Sequence, residues 1–215
     1  MTQRDTDIRR PFFARMFLRI GAVADAKGGT EYRERTLQGL NGKVIEVGAG
    51  HGLNFPHYPA TVTEVFAIEP NPVLREHAEE AAKEAPVPIT VSPGRADRLP
   101  VEDGSFDAGV ASLMLCSVPD QRVALNEFHR VVRAGGELRF YEHVLSTTAR
   151  TAFRQRLMDR TIWPVIAGGC HSARDTEAAI KMSGFVIEEI ERFYFKVSFG
   201  GGHTAPHILG KARRV

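Results

Sequence analysis

The sequence predicts an α/β fold with a doubly wound, mostly parallel sheet. Short β-rich runs alternate with helical patterns from residue 43 onward, which is typical of parallel strands joined by crossover helices. A glycine-rich run follows the first predicted strand directly, and sheets of this kind bind ligands at the carboxyl ends of their strands. Two further β-rich runs close the chain, and we expect them to pair antiparallel. We therefore expect a seven-stranded sheet with helices on both faces and an antiparallel last strand.

The first forty residues form a separate helical segment in this interpretation. Apolar side chains fall on one side of a helix that begins near residue 8, and arginines lie between them; the apolar set is Ile8, Phe12, Phe13, Met16, Phe17 and Ile20, and the basic set is Arg9, Arg10, Arg15 and Arg19. We expect a loop at residues 25–30 and a second short helix at residues 31–40. Residues 1–40 are thus predicted to be an N-terminal helical lid, and residues 41–215 the main domain. Peripheral contact with an anionic membrane, or with a partner chain, is the alternative use of the first helix.

The rest of the chain supplies the sheet and its crossover helices. Strands are predicted at residues 43–47, 62–68, 87–91, 107–113, 137–141, 185–195 and 207–213, and helices at residues 71–84, 120–133, 147–159 and 174–183. Pro72 lies near the first turn of its helix, where a fixed φ is favourable. Gly135 and Gly136 are expected to end the helix that begins at residue 120.

Composition excludes several classes of function. The chain has 215 residues, of which 43% are hydrophobic and 25% charged, which fits one domain with a continuous core. A formal net charge of +2 predicts no nucleic-acid partner. No charge-free run is long enough to cross a membrane, and the N-terminus lacks the apolar run of a secretory signal, so we expect the chain to stay in the cytoplasm.

The cysteines and histidines predict no metal site. Only two cysteines occur, and neither forms a CxxC motif or a Cys/His pair at zinc spacing. A set made of Cys170, His171, His203 and His207 matches no known metal motif.

The most informative feature is the run EVGAGHG at residues 46–52, which follows an apolar strand. Glycines at such a turn let a ligand approach the backbone closely. The third glycine of a dinucleotide-binding pattern would fall on Leu53, so pyrophosphate binding is disfavoured. Seventeen residues after Gly52, the second strand ends in Glu69, whose carboxylate could accept both hydroxyls of a ribose. Together these features predict a nucleoside ligand without phosphates.

Further motifs give the sequence a family resemblance. AIEPN at residues 67–71, GRADRLP at 94–100, SFD at 105–107 and RVVRAGG at 130–136 follow the glycine-rich run in order. With it they resemble class I S-adenosylmethionine-dependent methyltransferases of the type 11-like group, which implies a Rossmann-like fold, S-adenosyl-L-methionine as cofactor and S-adenosyl-L-homocysteine as product. The cofactor-binding residues that the resemblance implies are Glu46, Gly48, Ala49, Gly50, Gly52, Asn54, Glu69, Pro70, Asn71, Arg95, Ala96, Asp97, Leu115 and Cys116. Arg95 stands where many members carry Asp, so either Asp97 or a backbone carbonyl would contact the adenine amino group.

A second set of motifs is similar to the small thiol S-methyltransferases of the methyltransferase-like group. It consists of LCSV at residues 115–118, YEHV at 141–144, GCH at 169–171 and PHI at 206–208. Those relatives carry an apolar membrane-anchoring leader, whereas this chain has the basic amphipathic helix instead. The resemblance implies methylation of a small acceptor, with sulfur as the nucleophile.

Candidate residues for the acceptor follow from the sheet order, because strands four and five border the ligand crevice. Methyl transfer needs a base only when the nucleophile is mostly protonated, and a neutral histidine suits a thiol. His143 is the first candidate for that base and His171 the second; Tyr32, Ser117, Glu142 and Trp163 are the candidates for substrate contact. Cys116 is more typical of a small buried hydrophobe than of a nucleophile.

The predicted function is methyl transfer to a small, lipophilic acceptor by a monomer or homodimer. The apolar segment from residue 144 to residue 183 favours such an acceptor over a sugar. Oxygen or nitrogen methylation of a small aromatic or of a phospholipid head group is the alternative reaction. A non-catalytic S-adenosylmethionine-binding module is the alternative of another class.

Overall fold

A computed structural model describes residue 8, residues 11–197 and residues 201–215. Arg9 and Arg10 of the predicted basic helix, and residues 1–7 of the predicted lid, lie outside this part of the chain.

The seven strands form one sheet. They are β1 (Gly42–Val47), β2 (Val62–Ile68), β3 (Ile89–Ser92), β4 (Phe106–Ser112), β5 (Val132–His143), β6 (Phe185–Tyr194) and β7 (Pro206–Arg214). Their spatial order is β3-β2-β1-β4-β5-β7-β6. Strands β1 to β5 pair in parallel, and β7 is antiparallel to both of its neighbours. The predicted antiparallel last strand is confirmed, and it lies inside the sheet, where β5 and β6 cover both of its edges.

Seven helices accompany the sheet. They are α1 (Pro11–Ala24), α2 (Thr30–Leu37), α3 (Pro72–Lys83), α4 (Gln121–Val131), α5 (Ala149–Asp159), α6 (Trp163–Ile166) and α7 (Thr176–Met182) within the described residues, with short 3₁₀ turns at Phe55–His57 and Gly201–Thr204. Asn71, Asp120 and Asp175 cap α3, α4 and α7, because each side chain accepts a hydrogen bond from a backbone N–H of the first turn. None of the described helices has the length and apolarity needed to cross a lipid bilayer.

The core consists of two layers, one on each face of the sheet. Successive residues of β1 point to opposite faces, so Val44 packs with α2 and α3 while Ile45 packs with α4 and α7. Leu37 and Ala78 contribute the helical side of the first layer, and Phe128 contributes to the second. The predicted helices on both faces are therefore confirmed.

Two local predictions are wrong. The expected loop at residues 25–30 is a π-helical segment, Asp25–Gly29, which joins α1 to α2 with a kink at Gly28 (φ +97°). Glycine adopts a positive φ readily, so the chain leaves helical geometry at Gly28 and kinks between α1 and α2.

Helix α4 also ends earlier than predicted. The helix ends at Val131 rather than near residue 133, and β5 begins at Val132. The pairing of β4 with β5 shifts register over this stretch, where Val132 and Glu137 face Phe106 and Ala108. Gly135 (φ +74°) lies within this irregular start of β5 instead of ending the helix.

Gln155 on α5 joins two loops through hydrogen bonds, the one after β5 and the one before α7. Its side chain is fully buried. Its Nε2 donates to the carbonyl oxygens of Val144 and Ser172, both at 2.8 Å, and its Oε1 accepts from the N–H of Ser146 at 2.7 Å. One amide thus satisfies backbone groups of two separate loops.

We expect Gln155→Met to lower the free energy of unfolding by at least about 2 kcal/mol, because it leaves several buried backbone groups unpaired. Urea denaturation measures the change. Arg154→Ala, on the exposed side of the same helix, should stay within about 0.5 kcal/mol of the unmodified chain. Equal unfolding midpoints for the two variants would show that the amide bonds do not stabilise the fold.

Candidate active site

A cavity of about 410 Å³ lies at the carboxyl ends of the central parallel strands. Strand ends of β1, β2, β4 and β5 form its floor, and apolar side chains of α1 cover it. Those side chains are Phe13, Met16, Phe17 and Ile20. The cavity therefore occupies the position at which doubly wound sheets bind ligands.

The glycine-rich loop exposes main-chain atoms without side chains to this cavity. Gly48 and Gly50 line it and have φ values of +75° and +60°. A Cβ on Gly48 would come within 2.7 Å of the Met114 side chain, and one on Gly50 within 3.1 Å of the Phe17 ring. Gly52 faces the core instead, where Phe55 lies 2.7 Å from the position of a Cβ. Two of the three glycines thus open the cavity, and the third permits close packing.

Glu69 lies beside the loop, at the end of β2. Its carboxylate is buried and lines the cavity, and it accepts hydrogen bonds from the N–H of Gly50 at 2.8 Å and of Asn71 at 2.7 Å. Burial raises the pKa of Glu69 to about 7, although these two N–H donors oppose the shift. Each oxygen keeps acceptor capacity for a further donor from a ligand.

Glu46 and Asn54 lie behind the loop. The Glu46 carboxylate accepts hydrogen bonds from Asn54 Nδ2 at 2.8 Å and from the Tyr58 hydroxyl at 2.7 Å. Burial raises the pKa of Glu46 to about 7. Arg33 Nη1 donates to Asn54 Oδ1 at 3.1 Å, and Arg33 Nε donates to Asp25 at 3.1 Å. This network ties β1 to α2 and brings the Arg33 guanidinium to the cavity wall.

Arg95 and Asp97 form an ion pair at the far end of the cavity. The Arg95 guanidinium donates to both carboxylate oxygens, with distances of 3.0 Å and 2.8 Å for the two shortest contacts. Its hydrogen bond holds the pKa of Asp97 below the usual range. Ala96 and Asn71 line the same end.

Glu142 holds the loop that follows β4. Its fully buried carboxylate accepts hydrogen bonds from the N–H groups of Met114, Leu115 and Cys116, at 2.9, 2.7 and 3.1 Å. Burial raises its pKa well above the ordinary value. Leu113, at the start of this loop, has a φ of +55°, which is uncommon outside glycine. The carboxylate thus fixes a strained turn whose side chains face the cavity.

Two thiols and an imidazole meet at the cavity wall beside the ends of β4 and β5. His143 Nδ1 lies 3.5 Å from Cys116 Sγ and 3.6 Å from Cys170 Sγ. Both cysteines are free and buried, and all three residues line the cavity. The hydrogen bond with Cys170, and then burial, raise the pKa of the Cys116 thiol far above its ordinary value. This shift favours the protonated form of the Cys116 thiol.

The structure brings twelve of the predicted site residues to the cavity and leaves eight outside its lining. Those at the cavity are Gly48, Gly50, Glu69, Pro70, Asn71, Arg95, Ala96, Asp97, Cys116, Ser117, His143 and Trp163. Those outside the lining are Tyr32, Glu46, Ala49, Gly52, Asn54, Leu115, Glu142 and His171.

Two of the residues outside the lining have other partners. The Tyr32 ring stacks on Phe193, with centroids 4.2 Å apart, and His171 Nδ1 lies 2.7 Å from the carbonyl oxygen of Gly169. Sequence reasoning missed Arg33 and Cys170 as lining residues. Arg33 lies in a mostly polar helix whose sequence does not distinguish it from its charged neighbours, and the contact of Cys170 with His143 joins segments 27 residues apart.

Comparison with known proteins agrees with this geometry. The model of the methyltransferase domain family matches residues 45–140. The chain is 34% identical to human thiol S-methyltransferase TMT1B over 182 residues, which cover 82% of this chain and 73% of that protein. It is also 34% identical to phosphatidylethanolamine N-methyltransferase of Cereibacter sphaeroides over 117 residues, 52% of this chain and 57% of that one.

A solved structure shares the fold. Geranyl diphosphate C-methyltransferase from Streptomyces coelicolor, solved with S-adenosyl-L-homocysteine, superposes with a TM-score of 0.64 at 14% identity and covers 87% of this chain and 78% of that one. The glycine loop, the acid after β2 and these relationships place the chain in the S-adenosylmethionine-dependent methyltransferase family, in the same family as TMT1B.

Proposed function

We propose that this methyltransferase transfers the methyl group of S-adenosylmethionine to the sulfur of a small, lipophilic thiol. The observation that carries the proposal is one continuous cavity, which runs from the glycine loop and Glu69 to the Cys116–His143–Cys170 cluster. The similarity to a thiol S-methyltransferase over most of the chain supports sulfur as the acceptor atom.

The residues around the glycine loop fit the cofactor. The Glu69 carboxylate is positioned to accept hydrogen bonds from ribose hydroxyls, and the backbone at Gly48 and Gly50 leaves room for the methionine part. Arg33, which lines the cavity, provides a cation for the methionine carboxylate. The adenine ring would lie against Arg95, Ala96 and Asn71. When bound, the cofactor supplies a methyl group on a positively charged sulfur that a nucleophile displaces in line.

Helix α1 acts as a lid in this proposal. The Phe17 ring contacts the glycine loop and meets the His51 ring edge to face, with centroids 5.6 Å apart. Phe13 stacks on Phe17 at 5.3 Å and continues the apolar cover. A closed apolar lid excludes water from the reacting atoms and holds the acceptor in place.

The acceptor would lie between α1 and the wall formed by Trp163, Ala167 and Cys170. This wall is apolar and nearly fully buried, which suits a lipophilic body. His143 is the polar side chain that faces the acceptor atom there. Alignment of acceptor, methyl group and leaving sulfur can lower the barrier by about 7–11 kcal/mol in favourable cases, so positioning is the main task of these residues.

Methylation of a phospholipid head-group amine is the second candidate. The similarity to phosphatidylethanolamine N-methyltransferase and the basic residues Arg15 and Arg19 of α1 favour it. It requires an amine nucleophile, whereas the first candidate requires a thiol.

Glu69→Ala should weaken binding of S-adenosylhomocysteine by about 1.5–3 kcal/mol, or roughly 10- to 150-fold in Kd, if the carboxylate accepts the ribose hydroxyls. Titration calorimetry measures this, with circular dichroism to confirm that the variant is folded. Glu64→Ala removes an exposed acid from the same strand and serves as the matched control. An unchanged Kd in folded Glu69→Ala would remove Glu69 from the site.

Cofactor affinity should also depend on pH. The pKa of Glu69 is raised to about 7 by burial, and ribose hydroxyls donate best to the ionised carboxylate. Affinity should therefore rise as pH increases through 7, by about tenfold between pH 6 and pH 8. Glu69→Gln cannot ionise and should flatten the profile. An equal slope in both proteins would assign the pH dependence to another group.

A matched set of acceptors tests the reaction itself. Phenylmethanethiol, phenylmethanol and phenylmethylamine present sulfur, oxygen and nitrogen on the same apolar body, and phosphatidylethanolamine vesicles present the lipid amine. We expect S-adenosylhomocysteine to form with the thiol and the methylated sulfur to appear by mass spectrometry. His143→Ala should lower thiol turnover while leaving the Kd of the cofactor unchanged. Turnover confined to the alcohol, the amine or the lipid would refute the thiol proposal.

A further inference from the structure

We propose that Cys116, His143 and Cys170 bind a Zn²⁺ ion whose fourth coordination position takes the acceptor thiol as a thiolate. The role for the acceptor rests on the proposed function, whereas the metal site rests on the geometry of the three side chains. The sequence predicts no metal site, because neither cysteine forms a CxxC motif or a Cys/His pair at zinc spacing.

The two sulfur-to-nitrogen distances already match those around a tetrahedral ion. Bonds of about 2.3 Å to sulfur and about 2.1 Å to nitrogen place sulfur and nitrogen about 3.6 Å apart at a tetrahedral angle. The two distances to His143 Nδ1 are 3.5 Å from Cys116 Sγ and 3.6 Å from Cys170 Sγ. All three ligand atoms lie within 4.8 Å of one another. Two sulfurs and one imidazole nitrogen are also the ligand types that zinc prefers.

Separate elements hold the ligands rigidly. The Glu142 carboxylate accepts the N–H of Cys116, which fixes the loop after β4, and His143 ends β5. The N–H of His171 donates to the carbonyl oxygen of Cys116 at 2.8 Å and thereby ties the segment of Cys170 to that of Cys116. Such preformed support lowers the cost of ordering a metal site.

The cluster faces the cavity in which we place the acceptor. Structural zinc sites are closed by four protein ligands, whereas catalytic sites have three and leave one position for water or substrate. Within the described residues, the group at this site has three members, and each of them lines the cavity. The arrangement is therefore that of an open site.

A zinc ion at this site would convert a thiol acceptor to its reactive thiolate form. A free thiol is only a few per cent ionised at pH 7, but a coordinated thiol loses its proton. The proton passes to water as the acceptor sulfur binds the ion. The sulfur then forms a bond to the methyl carbon while the bond from that carbon to the sulfonium breaks, and the electron pair of the broken bond remains on the sulfur of S-adenosylhomocysteine. The neutral thioether is a weaker ligand and leaves.

Metal content of the full chain, purified without chelator, tests the site independently of activity. We expect about one zinc per chain by mass spectrometry, and its loss in Cys170→Ser and in His143→Gln. His77→Gln, which removes an exposed histidine from α3, should retain the zinc. Replacement by Co²⁺ should give thiolate-to-cobalt charge-transfer absorption that is absent from Cys170→Ser. Circular dichroism and the Kd of S-adenosylhomocysteine show that each variant is folded.

The outcomes separate the metal site from the proposed reaction. Removal of zinc should lower methylation of phenylmethanethiol by at least about tenfold, because this alkyl thiol then depends on its own small ionised fraction, and added Zn²⁺ should restore it. Thiol methylation at full rate in zinc-free protein would overturn this inference and leave the proposed function intact. Stoichiometric zinc with no turnover of any thiol would support the site and refute the proposed function. Zinc content equal in all variants, or a Cys116–Cys170 disulfide in place of zinc, would overturn the site.

Discussion

Buried carboxylates at the ends of the parallel strands hold the cavity of this protein in shape. Glu46 in β1, Glu69 after β2 and Glu142 in β5 are each at most 5% exposed. Burial of a carboxylate is unfavourable unless donors surround it. Each of the three is met by such donors, from backbone N–H groups of a loop or from side chains that reach over it. These hydrogen bonds therefore hold the loops at the carboxyl edge of the sheet in fixed positions.

The three buried carboxylates differ in position. Glu69 faces the cavity, whereas Glu46 and Glu142 lie behind the loops that surround it. Glu69 lies at the cavity wall and retains acceptor capacity toward a ligand. Glu142 uses its oxygens on the loop at Met114, Leu115 and Cys116, so its effect on chemistry passes through Cys116. Glu46 acts through Asn54 and Arg33, and in this way links the glycine loop to the helices that cover it. In the proposed function, Glu69 binds the cofactor while Glu46 and Glu142 position the loops, and only the surrounding donors distinguish these roles.

The sequence predicts the sheet and the part of the cavity at the glycine loop better than the part at Cys116 and Cys170. Alternation of β-rich and helical runs is a local pattern, so the strands and the glycine loop are found within a few residues. The role of Glu142 is not local, because its partners lie 26 to 28 residues earlier in the chain. The contact of Cys170 with His143 could not be predicted for the same reason. The two side chains meet only when the loop before α7 packs against the end of β5. The kink at Gly28 also escaped prediction, because two glycines read equally well as a loop.

The cavity has two unlike kinds of surface. Apolar rings of α1 and of Trp163 form one, and the thiols and imidazole of Cys116, Cys170 and His143 form the other. In the proposed function, an acceptor with an apolar body and a single thiol would fit both surfaces at once. An acceptor that is polar along its length would leave buried groups without partners.

A crystal structure of the chain with S-adenosyl-L-homocysteine tests the central claim most directly. The account requires the ribose hydroxyls to lie within hydrogen-bond distance of the Glu69 carboxylate, and the cofactor sulfur to point toward Cys116 and His143. A ribose that does not touch Glu69, or a sulfur that points away from the cluster, would contradict it.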